Sequence, residues 1–118
     1  MLRINTLLGL LIILLLCHDK SYAADLAKGK LLYTERCASC HGDKGEGDGP
    51  IALALPPEQK PGNLKSGNFK FATNEEKFKE LMEKGGAAVG LNPLMPGAPG
   101  TTDEDIKNMY AYTKSLMQ

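Results

Sequence analysis

Tryptophan is absent from the 118 residues, aromatic residues make up only 6%, and neither sign of charge is in excess, with 14 Lys+Arg against 14 Asp+Glu. Balanced charge excludes a nucleic-acid binder or a polybasic membrane binder, both of which need a surplus of Lys and Arg. The length excludes a dinucleotide-binding domain joined to a substrate domain, and it excludes a repeat array; it allows one small domain. No stretch alternates apolar and polar residues as a half-buried strand does. The longest apolar run, Leu7 to Cys17 broken only by Gly9, falls well short of the roughly twenty residues that a spanning helix needs. Residues able to carry chemistry are also few, with three Cys and two His.

Arg3 precedes that apolar run, and polar His18-Asp19-Lys20 and then Ser21-Tyr22-Ala23-Ala24 follow it. A basic start, a short apolar middle and a small-residue site are the parts of a secretory signal peptide. We therefore expect residues 1–23 to be a signal peptide, cut after Ala23 with Ala24 as the alternative, and residues 24–118 to be the mature domain. An uncleaved anchor is the competing reading, and the shortness of the run argues against it. Lipid attachment at Cys17 is disfavoured by the bulky Leu16 before it. Cleavage removes Cys17 and His18, leaving Cys37, Cys40 and His41 with 12 basic and 13 acidic residues. A domain of roughly 95 residues buries little more than about 60% of its unfolded surface, and usually depends on a staple, a metal or a cofactor.

The mature part reads as helices separated by long loops. Asp25 to Arg36 forms the first helix, with Leu26, Gly29, Leu31, Leu32 and Tyr33 mostly on one side. Glycines at 42, 45, 47, 49, 62 and 67 and prolines at 50, 56, 57 and 61 make the next stretch loop-rich, with one helical turn over Ile51–Leu55. Thr73, spaced from Glu76 as a capping box, is expected to cap a helix from Asn74 to about Lys84, with Phe78, Leu81 and Met82 inward and Gly85-Gly86 as the stop. A second loop, Ala87 to Gly100, carries Pro93, Pro96 and Pro99. Thr102, three residues before Asp105, starts the last helix, whose inward candidates are Ile106, Met109, Tyr112 or Thr113, and Leu116. The expected fold is a small all-α domain of three to four helices with long Gly/Pro-rich loops. Loops this long are uncommon in so small a chain unless something holds them.

Cys37-Ala38-Ser39-Cys40-His41 is the C-x-x-C-H pattern of covalent c-type haem attachment. Two thiols separated by two residues can add to the vinyl groups on neighbouring pyrroles of one porphyrin. The His directly after them can then ligate the iron, and such attachment occurs outside the cytoplasm, in keeping with the export signal. A Cys37–Cys40 disulfide would close too short a loop to stabilise much and leaves His41 unexplained. A structural zinc site needs four ligands, and the mature chain has three Cys and His in total. A thioredoxin-like dithiol follows a strand, whereas a helical pattern precedes this one. With no second His, the sixth iron ligand falls to Met82, Met95, Met109 or Met117. Met82 and Met109 lie on helix stripes and Met117 lies at a fraying end. Met95 sits in the proline-stiffened Leu91-Asn92-Pro93-Leu94-Met95-Pro96-Gly97, where loop packing is its ordinary alternative role.

These residues resemble the class I c-type cytochromes, small single-haem soluble electron carriers, over nearly the whole mature chain. Gly29 and Tyr33, eight and four residues before Cys37, match the small and aromatic positions of the family's first helix. The resemblance implies that the C-terminal helix crosses closely at Gly29, with Met109 and Tyr112 meeting it. Gly42 to Pro50 is similar to the family's loop after the haem motif, which implies that the Pro50 carbonyl accepts the His41 ring N–H. Met95-Pro96 matches the axial Met followed by Pro. Asn63 and Lys65 are candidate partners for the haem propionates, and the absence of Trp excludes a Trp–propionate contact.

The expected function is one-electron transfer in a respiratory chain. Cys37 and Cys40 anchor one haem c, His41 and Met95 ligate its iron, and the carrier is a periplasmic monomer with no catalysis of its own. It would meet donor and acceptor redox proteins transiently. An open sixth site would instead make it a ligand sensor or a peroxidase-like enzyme, and a retained signal segment would make it a tethered subunit of a larger oxidoreductase. The lysines at 65, 70, 77, 79 and 84 alternate with acids such as Glu75, Glu76, Glu80 and Glu83, which reads as a solvated mixed face.

Overall fold

Asp25 opens the first helix, α1 (Leu26–Arg36), by accepting the Lys28 N–H on its carboxylate. A computed structural model describes residues 22–117, and residues 1–21, which hold most of the expected signal peptide, lie outside that range. The order continues with α2 (Ala38–His41), α3 (Pro50–Ala54), a 3₁₀ turn at Pro57–Gln59, α4 (Glu75–Lys84), a 3₁₀ turn at Ala87–Val89, and α5 (Asp103–Ser115). Among the described residues there is no strand, so the fold is all-α as expected. The count exceeds the expected three to four helices because Cys37 departs from helical geometry (φ −119°, ψ −36°), which separates the motif as α2 from α1. No helix among the described residues is long and apolar enough to cross a membrane.

The cap of α4 differs from the expected one. Asn74, in extended backbone, accepts the Lys77 N–H at 2.9 Å, and the helix starts at Glu75. The cap thus shifts by one residue, and Asn74 takes the Lys77 N–H where the capping-box reading had Thr73 take that of Glu76. Gly85 ends the helix at φ +77°, a conformation open to glycine without strain. Thr102 caps α5 as expected, accepting the Asp105 N–H at 3.1 Å.

α1 and α5 form the most extensive helix–helix contact among the described elements. Gly29 makes the crossing possible, because a Cβ there would lie 2.7 Å from the Asn108 carbonyl carbon and 2.9 Å from the Tyr112 Cβ. The atoms nearest that Cβ belong to the Asn108 backbone and to Tyr112, one of the two expected partners. Met109 lies one residue round α5 and is fully buried on the α4 side. The inward face of α1 is also narrower than expected. Gly29 and Tyr33 are buried and Leu32 partly so, while Leu31 is 66% exposed, since it sits about 200° round the helix from Gly29.

The core gathers Phe78, Leu81 and Met82 of α4 with Ile106 and Met109 of α5, closed by Ala72 and Ala98 from the loops. Each such larger side chain contributes about 1.5–3 kcal/mol on burial. Two tilted aromatic pairs, both at 5.4 Å between centroids, flank α5: Tyr112 meets Tyr33 of α1, and Tyr110 meets Phe78 of α4. Two ion pairs of 2.7 Å, Lys28–Asp105 and Lys79–Asp103, tie the acidic first turn of α5 to α1 and α4. The three long helices thereby form a frame, and α2, α3 and both loops lie outside it.

Candidate functional site

The five motif residues sit where α1 ends. Cys37 N–H donates to the Tyr33 carbonyl (2.8 Å) and His41 N–H to the Cys37 carbonyl (2.8 Å), so the turn continues the direction of α1. Tyr33, 1% exposed, donates its hydroxyl to the Gly42 carbonyl at 2.7 Å. Tyr33 thus holds the motif from both ends, with its backbone carbonyl at Cys37 and its hydroxyl at Gly42, and burial lifts its phenol well above the ordinary range. The glycine-rich loop supplies the remaining partners, with Gly47 N–H donating to the His41 carbonyl (2.8 Å) and Gly49 N–H to the Cys40 carbonyl (3.1 Å). Loop 61–65 then closes over it, with Leu64 N–H on the Gly45 carbonyl at 2.7 Å.

Cys37 and Cys40 are free thiols, each half-buried. Burial, with a smaller push from Cys40 against the pull of Arg36, raises the Cys37 thiol to about 11. The His41 ring is held by one contact, Nδ1 to the Gly62 carbonyl at 3.1 Å. A carbonyl can only accept, so Nδ1 carries the proton and Nε2 carries the lone pair. Burial lowers the imidazole's pKa, and the Gly62 carbonyl opposes that in part. Nε2 makes no hydrogen bond among the described residues.

Gly62 therefore takes the place expected of Pro50. Pro50 starts α3, is exposed, and lines a polar cleft of about 300 Å³ with Asp43, Glu46 and Asp48. Its ring suits the first turn of a helix, where a missing N–H costs nothing. The Pro61-Gly62 segment reaches the imidazole instead. Nothing in residue type marked Gly62, because every residue offers a carbonyl; the signal available was the turn-forming Pro-Gly pair itself. The other loop candidates have partners already. Lys65 pairs with Glu46 at 3.1 Å, and Asn63 Oδ1 accepts the Ser66 N–H at 3.2 Å.

Met95 lies in the second loop, half-buried against the α4–α5 core. Its N–H donates to the Asn92 carbonyl (3.0 Å), and its carbonyl accepts from Gly86 at the end of α4 (2.9 Å). Met82 and Met109 are core residues, 4% and 0% exposed. Met117 packs its sulfur near Gly67.

The cytochrome c family profile matches residues 26–117. The chain belongs to the cytochrome c family. Membership implies a covalent haem c with its iron and a role in electron transfer. Cytochrome c-554(547) of Halothiobacillus neapolitanus is 32% identical over 97 residues, covering 80% of this chain and 99% of that protein. The Cbb3-type cytochrome c oxidase subunit CcoP of Azospirillum sp. (strain B510) is 32% identical over 98 residues, 80% of this chain but 29% of the subunit. Among solved structures, a chain of the reducing HAO-like protein complex of Kuenenia stuttgartiensis superposes with a TM-score of 0.66 at 27% identity, over 80% of this chain and 43% of that one.

The donor set of this cytochrome suits a haem. Two free thiols lie one helical turn apart, and the next residue offers an imidazole lone pair in a fixed tautomer. No three His, Cys, Asp or Glu side chains converge on a metal-ion site among the described residues. Ile51 (49%) and Leu53 (75%) of α3 and Leu94 (55%) of the second loop are also uncovered, apolar surface that a porphyrin could cover.

Proposed function

We propose that the chain carries one haem c, bonded through thioethers to Cys37 and Cys40 and ligated by His41 Nε2 and the Met95 sulfur, and that it works as a one-electron carrier outside the cytoplasm. The observation that carries this reading is the His41 ring, with Nδ1 tied to the Gly62 carbonyl and Nε2 unengaged beside two free thiols. When bound, haem supplies a reversible Fe(III)/Fe(II) couple. Gly62 orients the imidazole and raises the basicity of its donor nitrogen. A neutral thioether from Met95 favours Fe(II) relative to a second imidazole and so raises the reduction potential. With His41 and Met95 both holding the iron, no position would be left for oxygen or peroxide, and the protein would have no catalysis of its own. Donor and acceptor redox proteins then meet a small surface that releases quickly, and the carrier is a periplasmic monomer.

The test is a redox titration of the purified holoprotein followed by its optical spectrum. A low-spin ferric haem with a thioether-to-iron charge-transfer band, and a lowered potential with the haem still low-spin in Met95→His, support the reading. A high-spin ferric haem that takes up added ligands refutes it and leaves a sensor or peroxidase-like protein. A second reading, a tethered subunit of a larger oxidoreductase, is favoured by the relatives that are oxidase subunits. N-terminal sequencing of the exported protein separates the two, since a start at Ala24 or Asp25 removes the tether.

A further inference from the structure

The loop that carries Met95 is held on one flank by backbone hydrogen bonds and by the packing of Val89, Leu91 and Met95 against the α4–α5 core. Gly86 N–H donates to the Met95 carbonyl (2.9 Å) and Ala98 N–H to the Met82 carbonyl (2.6 Å), so both ends rest on the C-terminal part of α4. On the opposite flank one side chain reaches out. The Asn92 Nδ2 donates to the Gln59 carbonyl at 2.9 Å, across 33 residues of sequence. Among the described residues no other hydrogen bond or ion pair joins residues 56–60 to residues 86–98.

The rest of Asn92 is engaged as well. Its Oδ1 accepts the Leu94 N–H at 2.9 Å, and its backbone carbonyl accepts the Met95 N–H at 3.0 Å. Those contacts fix which end of the amide faces Gln59, because an oxygen there would confront a second acceptor. Asn92 therefore does two separable things with two atoms: Oδ1 shapes the turn before Met95, and Nδ2 fastens that turn to the Pro57–Gln59 segment.

We propose that Asn92 is a positioning residue for the sixth iron ligand: its bond to Gln59 latches the Met95 loop, and without that bond the thioether leaves the iron more often. The inference rests on Met95 as the ligand. A small external ligand can take the sixth position only in the fraction of molecules whose thioether is off, so its apparent affinity reports that fraction directly. Loss of one exposed hydrogen bond raises that fraction about twofold to fivefold.

The probe is imidazole, titrated into the ferric holoprotein of wild type, Asn92→Asp, Asn92→Ala and Met95→Ala. Asn92→Asp keeps the size of the side chain and the oxygen that caps Leu94, while it sets a carboxylate oxygen against the Gln59 carbonyl. The latch therefore requires both Asn92 variants to bind imidazole about twofold to fivefold more tightly than wild type. If Asn92 only shapes the turn, Asn92→Asp binds as wild type does and the proposal is overturned. Met95→Ala tests the underlying assignment on its own: a thioether band that survives there removes Met95 as ligand, and the latch with it. Wild type alone gives a further check by NMR, where the Asn92 side-chain amide protons must exchange more slowly than those of exposed Asn68. Equal exchange overturns the latch even where a variant fails to mature.

Discussion

Replacing Gly29 with alanine would set a methyl group where α5 already stands. The new Cβ would lie 2.7 Å from the Asn108 carbonyl carbon, closer still to its oxygen, and 2.9 Å from the Tyr112 Cβ. The obstacle is mostly backbone, so a side-chain rotation cannot clear it, and α5 must back away by about 1 Å to restore ordinary contact. That retreat loosens the largest helix contact and strains two features that ride on it, the Tyr33–Tyr112 pair and the 2.8 Å bond from Asp25 N–H to Asn108 Oδ1. Alanine returns about 1 kcal/mol of helix propensity, while overpacking costs typically 1–3 kcal/mol and occasionally more. With backbone in the way we expect the upper end, a net loss of about 2 kcal/mol and a fall in Tm of about 10 °C for a domain of this size. Thermal unfolding of the holoprotein followed by far-UV circular dichroism measures it. Gly62→Ala is the control, since a Cβ there meets nothing within 4 Å, and it should be neutral or stabilising by less than about 1 kcal/mol. A Gly29→Ala protein as stable as wild type would show slack in the crossing and refute the reasoning.

Other consequences can be checked with simpler measurements. Cys37→Ala combined with Cys40→Ala should yield no stable holoprotein, because the small core leaves the loops without support; a colourless variant that unfolds cooperatively would contradict this. Asn74→Ala should cost about 1 kcal/mol in denaturant unfolding and Thr73→Ala distinctly less, and the reverse order would return the cap of α4 to Thr73. Asp105 is held below its ordinary value of 3.8, first by the Lys28 hydrogen bond and then by Thr102. A depressed folded-state pKa contributes stability above the unfolded value that is lost as pH falls through the folded one. Asp105→Asn should therefore flatten the acid limb of stability below about pH 4, and an unchanged limb would show that this carboxylate carries none of it.

The parts of this molecule that could be read early are those whose causes are local. The C-x-x-C-H motif occupies five consecutive residues, Thr102 caps α5 from three residues away, and Gly85 ends α4 at its own position. Where two capping side chains stood side by side, at Thr73 and Asn74, pattern alone chose the wrong one by a single residue. On α1, Leu31 looked inward by hydrophobicity, yet the close crossing at Gly29 turned that part of the helix to solvent. Asn108 went unnoticed because a buried asparagine on a helix stripe carries no signal until its partner, the Asp25 N–H, is seen 83 residues away.

The same division holds at the site. Residue types alone pointed to the attachment chemistry, to His41 and to a small set of methionines as candidate ligands, because thiol, imidazole and thioether are properties of side chains. Which carbonyl orients His41, and which amide fastens the Met95 loop, depended on how two loops close over the frame of α1, α4 and α5. A backbone carbonyl is identical at Pro50, Gln59 and Gly62, so only their positions in space could select Gly62 for the imidazole and Gln59 for Asn92.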